Sequence, residues 1–247
     1  MHRSTVFILI GLMTMQISAK PLMIAHAGGG YLDTAYTNSI DALNQSYERG
    51  FRLIEMDFSW TADEQLVCLH DWESTHKKLF GNKPAEPLSL QAFEQQLAAH
   101  PHWQVCTAAT LAVWLAVHAD VRIITDIKHH NLKGIRKLIT DHPQIKAQLI
   151  PQFYQPQEYQ QLRELGFVDL IWILYQYKGS KQSVVELSQD MELMAVSMRS
   201  RQAKSRTLQK LRKKHRLFVY TINQSRTLEK LHLRYGVSGF YSDFLSP

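Results

Sequence analysis

Two carboxylates, Glu55 and Asp57, stand two residues apart in an apolar run. If the run is a β-strand, its period of two puts both on one face and Ile54, Met56 and Phe58 on the other. Paired carboxylates inside a protein repel, and burying them is costly unless a positive group joins them. A hard divalent cation fits that role, because oxygen-only ligands suit Mg²⁺ or Ca²⁺. Asp126 ends a later apolar run and is the natural third ligand. Neutralisation by Lys128 or an arginine, without a metal, is the simpler alternative. His26 and His70 also end apolar runs. Two imidazoles with pKa values near neutrality can serve as general base and general acid. No H-E-x-x-H spacing is present, which counts against zinc. Gly28-Gly29-Gly30 would let backbone amides approach a phosphate, but the run does not match a dinucleotide fingerprint.

Such residues work together only if the chain brings the ends of its apolar runs to one place. Eight runs rich in β-branched or aromatic residues occur at 22–25, 53–58, 121–127, 148–153, 170–174, 193–197, 217–222 and 239–242. Helical periodicity separates them, for example at 39–49, 111–118 and 227–235. Near-continuous apolar strands alternating with helices predict a parallel sheet buried on both faces. Eight units in this length predict an α/β fold, a TIM (β/α)₈ barrel, with an open doubly wound sheet as the alternative. Catalytic groups of that fold sit at the carboxyl ends of the strands, where these polar residues fall. A strand extension at 66–69 would deliver His70. The interval 71–109 is too long for a plain connection and predicts a small cap insertion over about 72–109. Phe80, Leu88, Phe93 and Trp103 read as the cap's own core rather than as a lipid-accommodating surface.

The chain has 247 residues, 45% of them hydrophobic, which excludes a disordered protein. Residues 1–19 have the layout of a signal peptide: a basic start, a short apolar run, then Ser18-Ala19. The expected product is a barrel domain over 20–247, periplasmic or secreted. Cys68 and Cys106 would then meet an oxidising compartment, but spacing leaves open whether they bond or remain two buried thiols. The net charge is +6, and much of the excess lies within 199–216. That stretch reads as a solvated helix face; peripheral contact with an anionic membrane is the other reading. It lacks the interleaved aromatics of a single-strand binder, so no nucleic-acid partner is expected.

At these residues the chain resembles the glycerophosphodiester phosphodiesterase family, within the phospholipase-C-like phosphodiesterases. The matching pieces begin with Ile24-Ala25-His26-Ala27-Gly28-Gly29, Thr37-Asn38-Ser39, Ile54-Glu55-Met56-Asp57 and Thr61-Ala62-Asp63. They continue with Val67-Cys68-Leu69-His70-Asp71, Asp126-Ile127-Lys128 and Tyr220-Thr221-Ile222-Asn223. The last is Gly236-Val237-Ser238-Gly239, leading to Ser242-Asp243. The resemblance implies that His26 and His70 are the acid–base pair. It implies one divalent cation, Mg²⁺ or Ca²⁺, held by Glu55, Asp57 and Asp126. Lys128, Gly28 and Tyr220 would bind substrate, with Lys128 on the phosphate. The expected partner is a small phosphodiester derived from phospholipid, and the expected state is a monomer.

Two departures bear on the substrate. The family's arginine after the first histidine is Ala27 here, and its strand-three glutamate is Asp126. Both also resemble spider-venom sphingomyelinase D-type enzymes, which form cyclic phosphates by internal attack. The phosphate is left one cation short, a place that Lys128, Arg199 or a cap lysine could fill. The usual tryptophan near strand seven is Tyr220. The leading expectation is hydrolysis of glycerophosphodiesters to an alcohol and glycerol phosphate. The alternatives are a lyase forming a cyclic phosphate and a non-catalytic module that binds head groups.

Overall fold

A computed structural model describes residues 20–247, and the expected signal peptide at 1–19 lies outside them. Strand β1 (Leu22–Ala25) ends in one tight turn over His26–Gly28 and a loop to α1 (Ile40–Glu48). Ser39 caps that helix by accepting from the Ala42 amide at 3.1 Å. β2 (Leu53–Trp60) folds back into the two-residue β3 (Leu66–Val67), and α2 (Ser74–Phe80), α3 (Leu90–Ala99) and α4 (Ala108–Ala116) follow. The chain then alternates: β4 (Arg122–Ile127), α5 (Asn131–Asp141), β5 (Leu149–Phe153), α6 (Glu158–Glu164), β6 (Ile171–Ile173) and α7 (Lys181–Leu187). It ends with β7 (Ala195–Arg199), α8 (Ser200–Ala203), β8 (Arg216–Tyr220), α9 (Ser225–Tyr235) and β9 (Gly239–Ser242). Among the described residues no helix is long and apolar enough to cross a membrane.

The parallel order is β1-β9-β8-β7-β6-β5-β4-β2, and β1 pairs with β2 to close it. This is an eight-stranded (β/α)₈ barrel, as the eight apolar runs predict. Alternation along each strand feeds two cores. Ile24, Ile124, Ile150, Ile171, Ala195, Phe218 and Tyr241 point inward as one packed layer. Ile54, Met56 and Phe58 point outward into the larger core between strands and helices. Burying each large side chain contributes about 1.5–3 kcal/mol.

Two local expectations change. Residues 66–69 do not extend a parallel strand. β3 runs antiparallel to β2, pairing Ser59 with Val67 and Trp60 with Leu66. The Thr61 amide donates to the Gln65 carbonyl and Glu64 takes φ 56°, which closes a tight hairpin. The basic stretch 199–216 is also not one long helix face. It holds the short α8 and a six-residue 3-10 helix at Leu208–Lys213, and its lysines and arginines are exposed.

The interval between β3 and α4 has a small core of its own. Val67, Leu69, Leu79, Phe80, Phe93 and Val105 are buried together, with Trp72, Leu88 and Trp103 packed against them. His76 is buried there too, with Nδ1 bonded to the Asn82 carbonyl (2.7 Å) and Nε2 to Gln96 (2.9 Å). Cys68 and Cys106 form a disulfide with Cα atoms 5.0 Å apart, closing the base of this unit.

Candidate active site

Register brings the carboxylates together. β2 pairs with β4 so that Asp57 lies beside Asp126, and Glu55 lies one inward step below, beside Ile124. All three are buried, and each offers an oxygen within 4.8 Å of the others. Lys128, the next inward residue after Asp126, places Nζ 2.6 Å from Asp57 and 3.4 Å from Asp126. Asn38 clamps Asp57 from the other side. Its Nδ2 donates to the carboxylate and its Oδ1 accepts the Asp57 amide, both at 3.0 Å. The Ala27 amide donates to Glu55 at 2.8 Å, and the Tyr154 hydroxyl donates to Asp126.

The charges do not balance. One lysine faces three carboxylates. Burial works against the charge on Asp57, but Lys128, His70 and His26 together hold its carboxyl below the usual range. Burial, then the neighbouring Asp57 charge, push the Glu55 carboxyl well up. A three-oxygen set with one member lacking a cation is what a hard divalent ion fits. Neutralisation by Lys128 alone accounts for Asp57 and leaves Glu55 unserved.

The two histidines flank this cluster. His26 Nδ1 is 2.8 Å from Asp243, whose other oxygen accepts from Asn223 Nδ2 at 2.7 Å. His70 Nδ1 is 2.7 Å from Asp71. In both rings a carboxylate therefore holds Nδ1 and leaves Nε2 for proton transfer. Burial by itself would lower the His26 pKa, but the Asp243 hydrogen bond and the charges of Glu55, Asp243 and Asp57 raise it to about 9. Tyr36 stands edge-on between the imidazoles, with its ring centroid 4.7 Å from His26 and 4.9 Å from His70.

A cavity of about 410 Å³ unites these groups. His26, Glu55, Asp57, His70, Asp126, Lys128 and Tyr220 all line it. Gly28 is not among the lining residues. The Gly29 and Gly30 amides donate to the His26 and Asp243 carbonyls. Gly28 packs outward, where a side chain would press on Ala42 and Met56. The run serves the loop instead: at Gly29, with φ 96°, a Cβ would collide with Ser46, which holds the Gly28 carbonyl. Ala27 is fully buried, and Arg199 lines the cavity beside Tyr220.

Residue types alone missed Tyr36, Tyr175 and Tyr241 as lining residues; Gln152, at the end of the fourth apolar run, lines the cavity too. Tyr241 occupies an inward strand position, so period two could have found it. Tyr36 sits in a loop with φ 63°, and nothing in its sequence setting marks it. The roles of Asn38, Asp71 and Asp243 had a signal, since each falls within a matching piece.

The glycerophosphoryl diester phosphodiesterase family profile matches residues 26–246. An uncharacterised protein of Mycoplasma genitalium is 32% identical over 131 residues, 49% of this chain and 52% of that protein. The chain thus spans about half the length of that curated relative. A glycerophosphodiester phosphodiesterase from Thermotoga maritima shares the fold, with TM-score 0.69 and 18% identity over 90% of this chain and 94% of its own. A phosphodiesterase from Oleispira antarctica, solved with the product sn-glycerol-3-phosphate, does so with TM-score 0.67 and 15% identity over 91% and 93%. A match over nearly the whole barrel places this chain in the glycerophosphoryl diester phosphodiesterase family.

Proposed function

We propose that this chain is a metal-dependent phosphodiesterase that hydrolyses glycerophosphodiesters to glycerol phosphate and a free alcohol. One observation carries the reading: two imidazoles, each held at Nδ1 by an aspartate, face one cavity across three buried carboxylates. The family match and the glycerol phosphate bound by the Oleispira antarctica relative support the substrate class.

Glu55, Asp57 and Asp126 would hold one divalent cation, Mg²⁺ or Ca²⁺. When bound, that ion supplies positive charge against the phosphate oxygens. Lys128 contributes a fixed ammonium at the same place, kept protonated by Asp57 and Asp126 despite burial. One imidazole takes the proton of the attacking water, and the other protonates the leaving alkoxide. Asp243 and Asp71 orient the two rings and stabilise the imidazolium that forms on either side. Tyr220 and the neighbouring Arg199 line the same cavity, and Arg199 offers a second cation in place of the arginine that Ala27 replaces.

The test is glycerophosphocholine turnover with Mg²⁺ or Ca²⁺, with EDTA as control, followed by ³¹P NMR. Glycerol phosphate formed directly is the expected product. A cyclic phosphate would replace attack by water with internal transfer, and no turnover with either ion would leave a head-group binding module. Export to the periplasm or outside the cell belongs to the same proposal. The layout of residues 1–19 supports it, and so does a disulfide, which persists in oxidising compartments. We place the active unit as a monomer that needs no nucleic acid.

A further inference from the structure

A second, larger hollow of about 870 Å³ opens beside the catalytic cavity. The two share His70 and Lys128, so one imidazole stands at their junction. His26 lines only the inner cavity. The walls of the outer groove are Phe58 and Trp60 from β2, Trp72 from the first turn of the cap, and Pro87. Trp72 Nε1 donates to the Trp60 carbonyl (2.8 Å) and Trp60 Nε1 to the His129 carbonyl (2.7 Å). The polar edges of both indoles are thus engaged with backbone, and Trp72 is braced from the cap side by His76 and Phe93, with ring centroids 5.6 and 5.5 Å away.

The charges at the rim are satisfied among themselves. Lys133 pairs with Glu64 at 2.6 Å and Glu73 with Lys83 at 2.9 Å. Lys133 Nζ also lies 5.2 Å from the centre of the Trp60 ring, where a bound cation would stack. His129 and His130 add further donors on that side. A quaternary ammonium such as choline would therefore meet an aromatic surface already occupied by a cation. A neutral apolar group would meet the same surface without the charge repulsion. The volume is in the range that holds drug-sized ligands, well beyond a head-group alcohol.

We infer that this groove is the subsite for the leaving alcohol and that it selects alcohols carrying an apolar tail. The inference rests on the phosphodiesterase reading and names its substrate class. Water adds across the diester: a new P–O bond forms from water and the P–O bond to the alcohol breaks. His70, at the junction, gives its proton to the departing alkoxide. His26, in the inner cavity, takes the proton lost by water once a cation on Glu55 and Asp57 offsets the carboxylate charges that otherwise keep its ring protonated. The glycerol phosphate half stays in the inner cavity.

The experiment compares the methyl, butyl and octyl diesters of glycerol phosphate, together with glycerophosphocholine, all below micelle-forming concentrations. Each methylene that is fully buried is worth about a fourfold gain, so kcat/KM should rise at least about tenfold from methyl to octyl. The products should be octanol and glycerol phosphate. Trp72→Leu removes one wall, and Ala62→Trp, at the exposed lip, fills the groove. Each should reduce the octyl-to-methyl ratio at least about fivefold, a ratio that cancels any partial loss of folded enzyme. Methyl turnover with no gain on lengthening overturns the groove and leaves the phosphodiesterase reading standing. So does a preference for choline over octyl, an unchanged ratio in both variants, or release of octyl phosphate and glycerol. Failure to hydrolyse any of the four diesters overturns both.

Discussion

His26 and His70 face the same cavity from unlike supports. His26 ends β1, its side chain is 10% exposed, and its partner Asp243 follows β9. β1 and β9 are barrel neighbours, with Ala25 opposite Ser242, so closure of the barrel itself makes the pair. The His70 side chain is 31% exposed, and its partner Asp71 begins the cap. Asp71 also accepts the Glu73 and Thr75 amides at 2.9 and 3.0 Å, so one carboxylate both orients the imidazole and starts α2. The half-site in the barrel is set by sheet register. The half-site at the cap is set by a hairpin, a helix start and a disulfide between residues 38 apart. Water and substrate reach the second more freely, which suits the histidine that must meet alcohols of different size.

Replacing either ring should have the largest effect. His26→Ala and His70→Ala should each reduce kcat by about 10³-fold, within the span of general acid–base catalysis. Metal binding by isothermal titration should persist in both. Near-wild-type turnover in either would sink the scheme. Next is the staple of the cap. In the chain-entropy account a cross-link across this separation is worth about 4 kcal/mol. The Cys68→Ala/Cys106→Ala double variant should lose about that much stability by urea denaturation. Its cap tryptophans, Trp72 and Trp103, should become exposed before the barrel signal in far-UV circular dichroism is lost. Simultaneous loss would show that the two regions are not mechanically distinct.

Glu55→Gln comes third. Removing the carboxylate that no lysine serves should weaken Ca²⁺ or Mg²⁺ binding about 100-fold, while the fold is retained. The aspartate partners then sharpen the comparison. Orienting groups of this kind contribute about 10–100-fold. Asp243→Asn, on the buried ring, should lie near the top of that range in kcat and Asp71→Asn near the bottom. The reverse order would mean that His70, not His26, depends more on its support.

The smallest expected effect is on acid stability. Burial opposes the Asp71 charge, but hydrogen bonds from His70, Thr75 and Ser74 keep its carboxyl below the usual carboxylate range. A carboxylate depressed in the folded state stabilises above its unfolded pKa, about 3.9, and loses that contribution as pH falls through the native value. Tryptophan fluorescence of the cap should therefore change below about pH 4 in the parent protein. In Asp71→Asn that step should be absent.

The local grammar of this chain was legible without a fold. Period-two alternation set Glu55 and Asp57 on one face, and the ends of the apolar runs marked His26, His70 and Asp126, because a strand's facing depends only on neighbours along the chain. Long-range closure was not legible. Asp243 meets His26 across 217 residues, and Cys68 meets Cys106 only because the cap returns to its own base. The glycine run signalled a phosphate cradle, but the Gly29 and Gly30 amides bond to the His26 and Asp243 carbonyls, and Ser46 fills the space beside Gly29. The sequence by itself therefore determined which chemical groups this protein carries and that most of them lie at the ends of parallel strands. Tertiary structure decided which groups touch, which nitrogen of each histidine an aspartate holds, and that an aromatic groove lies beside His70. Those depend on register and packing between segments far apart in the chain, which no local pattern encodes.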